Sequence, residues 1–385
     1  MLKSKLMAGA LIFTGIFIAS NLYTMLPLHS EIAKLYGVSD SVVSLASSMF
    51  IFPYAVGLFF FGMLADKLPH KKVLLYGMAA LTLVTLLVGL MPTFWLFIIL
   101  RAAQGILAAS FAPTAFAYSF EHFKGKEQAF VIAMINTGFL FAGIFGQMIA
   151  VELASYGTYR TVFFGFCLLY SICFLLLKQF LVSSKPKTFQ TLFSLSPILS
   201  FFQFRPLQKL YGITFFLLFT VMLFYGSFEW LIARGDIDIP FSLQGFRVIG
   251  LIGILPAFFA GPLQQRFGAP FVLGISLLAV TIGFSLPLLI LNTWTLLAAS
   301  IFMIASTSLT IPMVILLVGQ CSKQARASAV SIYSFTLLTG ASIGSLGAAI
   351  VPFQGVLISC AVLFMGLAYI SLRLKVSLPT NRAHS

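Results

Sequence analysis

The sequence predicts an all-α membrane protein of twelve transmembrane helices in two six-helix pseudo-repeats, and three observations predict it. The 385 residues are 60% hydrophobic and only 8% charged. An ordinary soluble domain carries about a quarter charged residues, so lipid must be the solvent for most of this surface. The apolar residues come in stretches of about 20, which at 1.5 Å per residue match a ~30 Å hydrocarbon core. One long polar break then divides the stretches six and six, and the same punctuation returns at an offset of 199 residues, from Gly62 to Gly261.

Taken in order, the spans lie near 7–28, 42–64, 73–91, 94–117, 129–151 and 161–181, then 211–233, 244–263, 270–291, 294–318, 327–350 and 354–374. All are expected to be helices, because a lipid-exposed segment must satisfy its backbone internally and no barrel-type alternation is present. Lys3 and Lys5 precede the first span as in a signal peptide. No small-residue cleavage site follows, so an uncleaved first helix is expected. The expected organisation is a six-helix bundle over 1–182, a cytoplasmic linker over 183–210, and a second bundle over 211–385 with a short tail. Pro197 and Pro206 interrupt the linker; the apolar run between them, Ile198 to Phe204, reads as plain linker or as a segment lying on the membrane face.

Charge sets the orientation. Of 23 basic residues, 18 fall in loops and tails on the side that holds both termini, and three (Lys34, Arg160, Arg234) on the other. The remaining two, Arg101 and Arg247, lie inside spans. The positive-inside bias makes both termini cytoplasmic, at a bacterial inner membrane. The net charge of +14 then lies along the anionic leaflet, and no nucleic-acid partner is implied. Cys167, Cys173, Cys321 and Cys360 form no CxxC pair and read as small core residues, and the four histidines lack metal-ligand spacing. No metal and no cofactor are expected. Nor is an enzyme, since the spans carry no Ser/His, paired Asp or His-metal set.

The repeated punctuation is a loop. After span two the sequence runs Gly62-Met63-Leu64-Ala65-Asp66-Lys67-Leu68-Pro69-His70-Lys71-Lys72; after span eight, Gly261, Leu263 and Arg266 coincide with Gly62, Leu64 and Lys67. A glycine lets helices approach closely, and a carboxylate at a helix end can accept charge-assisted hydrogen bonds. Gly62, Asp66, Lys67 and Lys71 are therefore a candidate conformational latch, against the plainer reading of a capped turn in a basic loop. This loop resembles the Gly-x-Leu-Ala-Asp-Arg-x-Gly-Arg-Lys signature of the major facilitator superfamily, with Pro69 at the second glycine and His70 at the arginine after it. Arg101-Ala102-Ala103-Gln104-Gly105-Ile106-Leu107-Ala108-Ala109 in span four resembles the family's Arg-x-x-Gln-Gly-x-x-Ala-Ala helix. Tyr159-Arg160-Thr161-Val162-Phe163 resembles its Trp-Arg-x-x-Phe, and Asn21-Leu22-Tyr23 with Pro27 resembles bacterial drug and sugar efflux members. Span five has Ile144 where exporters of the family often carry a proline. The resemblance implies a twelve-helix proton antiporter of the drug or sugar efflux type.

Arg101, Gln104, Gly105 and Ala108 fall at i, i+3, i+4 and i+7 and share one helix face. A guanidinium inside a span costs at least ~2.5 kcal/mol, so Arg101 should face a partner or a water-filled cavity; snorkelling to the near end of its span is the alternative. Arg101, Gln104 and Gly105 are thus candidates for coupling or for lining a cavity. Glu229 in span seven and Arg247 in span eight sit at similar depth and can pair, which makes them the other coupling candidates. Glu31, Asp40, Glu152, Asp236 and Asp238 read as solvated loop charges. For a substrate cavity near the bilayer midplane, the polar or soft candidates are Asn21 and Met25 in span one, Tyr225 in span seven, and Ser306, Thr307 and Thr310 in span ten; each singly is compatible with ordinary helix packing. The expected function is proton-coupled export of small amphipathic drugs or metabolites by a monomer in the lipid bilayer. Uptake of a sugar, nucleoside or organic anion is the alternative on the same fold, and a non-transporting receptor is the alternative from another class.

Overall fold

A computed structural model of the chain describes residues 2–183, 201, 204–233, 235, 240, 242–323, 325–348 and 350–374. Among these, twelve helices are long and apolar enough to cross a membrane, one at each predicted span. The first half comprises α1 (Leu2–Ser20), the short α2 (His29–Tyr36), α3 (Asp40–Lys67), α4 (His70–Leu90), α5 (Phe94–Ala108), α6 (Phe111–His122), α7 (Gly125–Ser155) and α8 (Tyr159–Phe180). The second comprises α9 (Arg205–Ala233), α10 (Leu243–Gly250), α11 (Ala260–Phe267), α12 (Ala269–Leu289), α13 (Thr293–Cys321), α14 (Arg326–Gly347) and α15 (Phe353–Leu372). Most of the expected linker, together with Arg234, Asp236, Asp238 and the tail from 375, lies outside the described residues. Arg205 to Leu210, read as linker, instead open α9, where Pro206 sits in the first turn and gives up no helical hydrogen bond.

Three local breaks depart from straight spans. Span one stops at Ser20 rather than at residue 28: the chain turns over Asn21 to Met25, forms a single 3₁₀ turn (Leu26–Leu28) with Pro27 at its start, and enters α2. Span four divides at Ala109 and Ser110 into α5 and α6, because Pro113 has no N–H for the carbonyl four residues before it. Span eight has α10 and α11 joined by nine residues of 3₁₀-helix, Leu251–Phe259, around Pro256. Long 3₁₀ runs are uncommon, and here the Ser308 hydroxyl of α13 supports the segment by donating to the Gly253 carbonyl at 3.2 Å.

The chain forms two compact units, Met1–Phe123 with Met134–Ser194, and Lys124–Ala133 with Leu195–Ser385. In the first, α3 packs on α5 and α4 on α8; in the second, α12 packs on α13 and α15, and α9 on α14. Small residues set the closest approaches. A side chain at Gly146 of α7 would lie 2.6 Å from the Ser20 carbonyl oxygen at the end of α1, and one at Gly344 of α14 would lie 2.8 Å from the Phe219 Cα of α9. The 199-residue repeat is written in helix boundaries. His70–Leu90 maps onto Ala269–Leu289 at both ends, and the N-cap Thr93 of α5 maps onto the N-cap Asn292 of α13. Trp95 and Trp294 follow at matching positions and are both about two-thirds exposed, at 66% and 67%, as interfacial tryptophans are.

Candidate functional site

Among the described residues, each unit holds a polar cluster built around an arginine within its spans. In the first unit it is centred on Arg101, which α5 carries inward from its N-terminus by two turns. Arg101 is fully buried, so it does not snorkel. Its Nη1 donates to Asn21 Oδ1 at 2.7 Å and to Gln104 Oε1 at 2.6 Å, and its Nε donates to the Ala46 carbonyl of α3 at 3.4 Å. The guanidinium carbon lies 4.5 Å from the ring centre of Phe50 and 5.9 Å from that of Phe163, within cation–π range.

The partners are held in turn. Gln104 Nε2 donates to Thr85 Oγ1 at 2.8 Å, and Thr85 donates to the Leu81 carbonyl one turn back. Asn21 Nδ2 donates to the Tyr170 hydroxyl at 2.9 Å, and that hydroxyl donates to the Phe17 carbonyl at 3.3 Å. The side chains at positions 21, 50, 85, 101, 104 and 170 are all within 1% of complete burial. One charge thus ties α1, α3, α4, α5 and α8 together through neutral groups. Gly105 permits this. A Cβ there would sit 3.0 Å from the Phe50 carbonyl carbon and 3.2 Å from its Cα, so α3 could not bring Phe50 onto the guanidinium.

In the second unit the cluster joins α9, α10 and α13. Arg247 Nη2 donates to Glu229 Oε1, the pair the sequence suggested. Both side chains are part-exposed, at 38% and 46%. The guanidinium also lies 5.3 Å from the ring centre of Tyr225, whose hydroxyl pairs with Ser300 Oγ at 2.7 Å. Ser300 occupies the position related to Arg101 by the 199-residue offset. The basic group of this unit therefore comes from another span. Arg247 Nε is buried and has no hydrogen-bond partner among the described residues.

The remaining candidates lie apart from these clusters. Ser306, Thr307 and Thr310 are buried in α13 and bond within their own helix: Ser306 and Thr310 pair at 3.4 Å, and Thr307 donates to the Met303 carbonyl at 2.8 Å. Met25 does not continue a face of span one. It is fully buried in the turn that ends that span, because the helix stops five residues earlier. Gly62, Asp66 and Lys67 lie in the last turns of α3, with Asp66 and Lys67 both engaged by neighbours. Lys71 donates to the Lys178 and Leu181 carbonyls at 3.0 and 2.5 Å, so it caps the C-terminal end of α8.

Some contacts escaped the sequence reading. Glu31 is not a solvated loop charge. It is half-buried and accepts from the Tyr159 backbone N–H at 2.6 Å, placing a carboxylate on the N-terminus of α8 where the helix dipole favours it. Tyr36 completes the strap: its hydroxyl donates to the Met91 carbonyl at 2.9 Å and meets that of Tyr159 at 2.6 Å. Burial and then the Tyr159 hydroxyl hold the Tyr36 phenol well above its ordinary range. His70, buried at the first position of α4, meets Glu121 of α6 at 2.6 Å. Thr85 and Tyr170 were also missed. The available signal was depth: a buried arginine needs acceptors, those amides need partners of their own, and Thr85 and Tyr170, which accept from Gln104 and Asn21, are polar residues of the same half within three turns of the same membrane end.

A family model, that of the Major Facilitator Superfamily, matches residues 7–259. The chain is 26% identical over 358 residues to a protein named multidrug resistance protein MdtG from Proteus mirabilis, covering 89% of this chain and 86% of the relative. It is 26% identical over 368 residues to an uncharacterized transporter from Buchnera aphidicola, covering 89% and 88%. A shorter match, 28% over 153 residues and 39% of each chain, is to multidrug resistance protein MdtL from Shewanella oneidensis.

Proposed function

The chain belongs to the Major Facilitator Superfamily, and from that premise we propose that it exports small amphipathic compounds by alternating access, driven by protons returning through the same protein. It is a multi-pass membrane transporter of a small-molecule substrate. The export direction rests on the relatives named multidrug resistance proteins MdtG and MdtL, since removal of the compound from the cell is the resistance a transporter can give. In this reading two six-span halves, 1–182 and 211–385, joined by 183–210, expose a midplane site to each side in turn, with both termini in the cytoplasm.

The observation that carries the coupling is the Glu229–Arg247 pair over Tyr225. Coupling needs a group that exchanges a proton and changes its contacts as it does so. Glu229 is a carboxylate at the end of a span, part-exposed, and held by a guanidinium. Protonation removes its charge and weakens the bond to Arg247, which frees α10 from α9. The Arg101 cluster has a different part. Its bonds lie within one unit and hold five helices as a body that moves together.

The test is transport in proteoliposomes. With the lumen acidic, a dye supplied outside should accumulate in vesicles whose protein is oriented inside out, and should not accumulate without the gradient. Glu229→Gln should still carry dye downhill but should lose the response to the gradient. Equal accumulation with and without the gradient refutes proton coupling. Gradient-driven accumulation by Glu229→Gln removes Glu229 from the role.

A further inference from the structure

We propose that Tyr225 is a positioning residue for the Glu229–Arg247 pair, its ring pinned by Ser300 so that it holds the Arg247 guanidinium against the carboxylate. A part-exposed ion pair is a weak constraint, because water screens it and two long side chains must give up rotamer freedom to keep it. Both of these side chains are part-exposed, so the pair needs a second hold on the arginine. Tyr225 provides one. It precedes Glu229 by four residues on α9, which puts ring and carboxylate on one helix face. The Arg247 guanidinium of α10 meets both: Nη2 donates to Glu229 Oε1, and Cζ lies 5.3 Å from the ring centre, within cation–π range. Nε of the same guanidinium is buried, so the stem is covered while the tip reaches the carboxylate.

The ring is itself fixed at its far end. The Tyr225 hydroxyl pairs with Ser300 Oγ at 2.7 Å, and Ser300 is fully buried in α13, where bulk water does not compete for the contact. Gly250, one turn after Arg247, leaves the room. A Cβ there would lie 2.5 Å from Ser300 Oγ and 3.1 Å from the Tyr225 hydroxyl oxygen. Residues of α9, α10 and α13 thus converge on one tyrosine, and the residue at the repeat position of Arg101 is short enough to admit its hydroxyl. With the proton-exchange role proposed for Glu229, a consequence follows. When Glu229 is neutral and Nη2 is released, the ring keeps the guanidinium close by, and the pair re-forms when the proton leaves. That consequence rests on the coupling reading; the placement of Arg247 by Tyr225 does not.

Two readouts separate the placement from its consequence. The purified full chain in detergent is treated with phenylglyoxal, which reacts with guanidinium groups that leave their contacts. The modified fraction of Arg247 is measured by mass spectrometry against the exposed Arg266 in the same sample. Tyr225→Leu should raise the Arg247 rate about two- to fivefold, the factor for losing a cation–π contact at a part-exposed site. Ser300→Ala and Tyr225→Phe, which keep the ring and lose its pin, should each raise it by a smaller factor. An unchanged Arg247 rate in Tyr225→Leu overturns the proposal, and an unchanged rate in both other variants overturns the part given to Ser300. If Tyr225→Leu does not fold, Gly250→Ala serves instead: its Cβ crowds the Ser300 and Tyr225 hydroxyls, the smaller rise is expected, and no rise refutes the placement. In proteoliposomes, Tyr225→Leu should lower the ratio of gradient-driven to downhill dye accumulation, and Tyr225→Phe should recover part of it. A ratio kept by Tyr225→Leu but lost by Glu229→Gln refutes the inference and leaves the coupling role. A ratio kept by Glu229→Gln refutes the coupling role, while the labelling still decides the placement.

Discussion

Replacing Asn21 by alanine removes one of the two short acceptors at Arg101 Nη1 and the donor that faces the Tyr170 hydroxyl. Hydrogen bonds to a charged group contribute about 1.5–3 kcal/mol, and neutral ones about 1. Both losses fall in a fully buried place, where water cannot replace them without entering a closed site. The expected destabilisation is therefore about 3 kcal/mol, on the order of a hundredfold in the folded-to-unfolded ratio. Unfolding of the purified chain in mixed micelles, followed by tryptophan fluorescence against rising SDS, reads this out. Thr24→Ala is the control. Its hydroxyl donates to the Asn21 backbone carbonyl at 3.0 Å and only weakly, at 3.4 Å, to the Asn21 Oδ1 that accepts from Arg101, so it perturbs the same turn while leaving the Asn21–Arg101 bond in place, and about 1 kcal/mol is expected. If Asn21→Ala falls within about 0.5 kcal/mol of the unsubstituted chain, a typical surface value, the Arg101 cluster does not tie α1 to the body of the unit.

Gly105→Ala should cost about 2 kcal/mol in the same assay, within the range for overpacked cores, because its Cβ meets Phe50 backbone rather than a side chain that could move; an unchanged midpoint would mean α3 and α5 can separate freely. Glu31→Ala should cost about 1 kcal/mol by uncapping α8, and Glu31→Gln, which keeps an acceptor for the Tyr159 N–H, should recover most of it; equal losses in the two variants would place the effect in charge and not in the cap. For Glu229 and Arg247, a double-mutant cycle on stability should give a coupling below about 1 kcal/mol, since both side chains are part-exposed and such pairs are solvent-screened. A coupling of several kcal/mol would make the pair a structural bond, with no proton-exchange role left for it.

The scaffold was legible in the sequence because lipid imposes simple rules. Apolar length specifies a span and polar breaks separate spans, so all twelve appear where composition places them. The loop at Gly62 to Lys72 and the Arg101 helix also led to the right family. Tertiary structure decided what the polar residues do, because a side chain's partner depends on which helices are neighbours and at what rotation. Arg101 read as facing a partner or a water-filled cavity, with snorkelling as the alternative, and the packing turns it inward onto Asn21, Gln104 and Phe50. Ser306, Thr307 and Thr310 of α13 bond within their own helix. The Glu229–Arg247 pair could be guessed because depth alone brings those two ends together across one short loop. Glu31 could not, because its partner is a backbone N–H 128 residues away that only the packing of α2 over the end of α8 delivers. The sequence by itself determined how many times the chain crosses the membrane and which family it joins, since both follow from local composition. Which buried charge meets which neutral group was decided only when the helices packed.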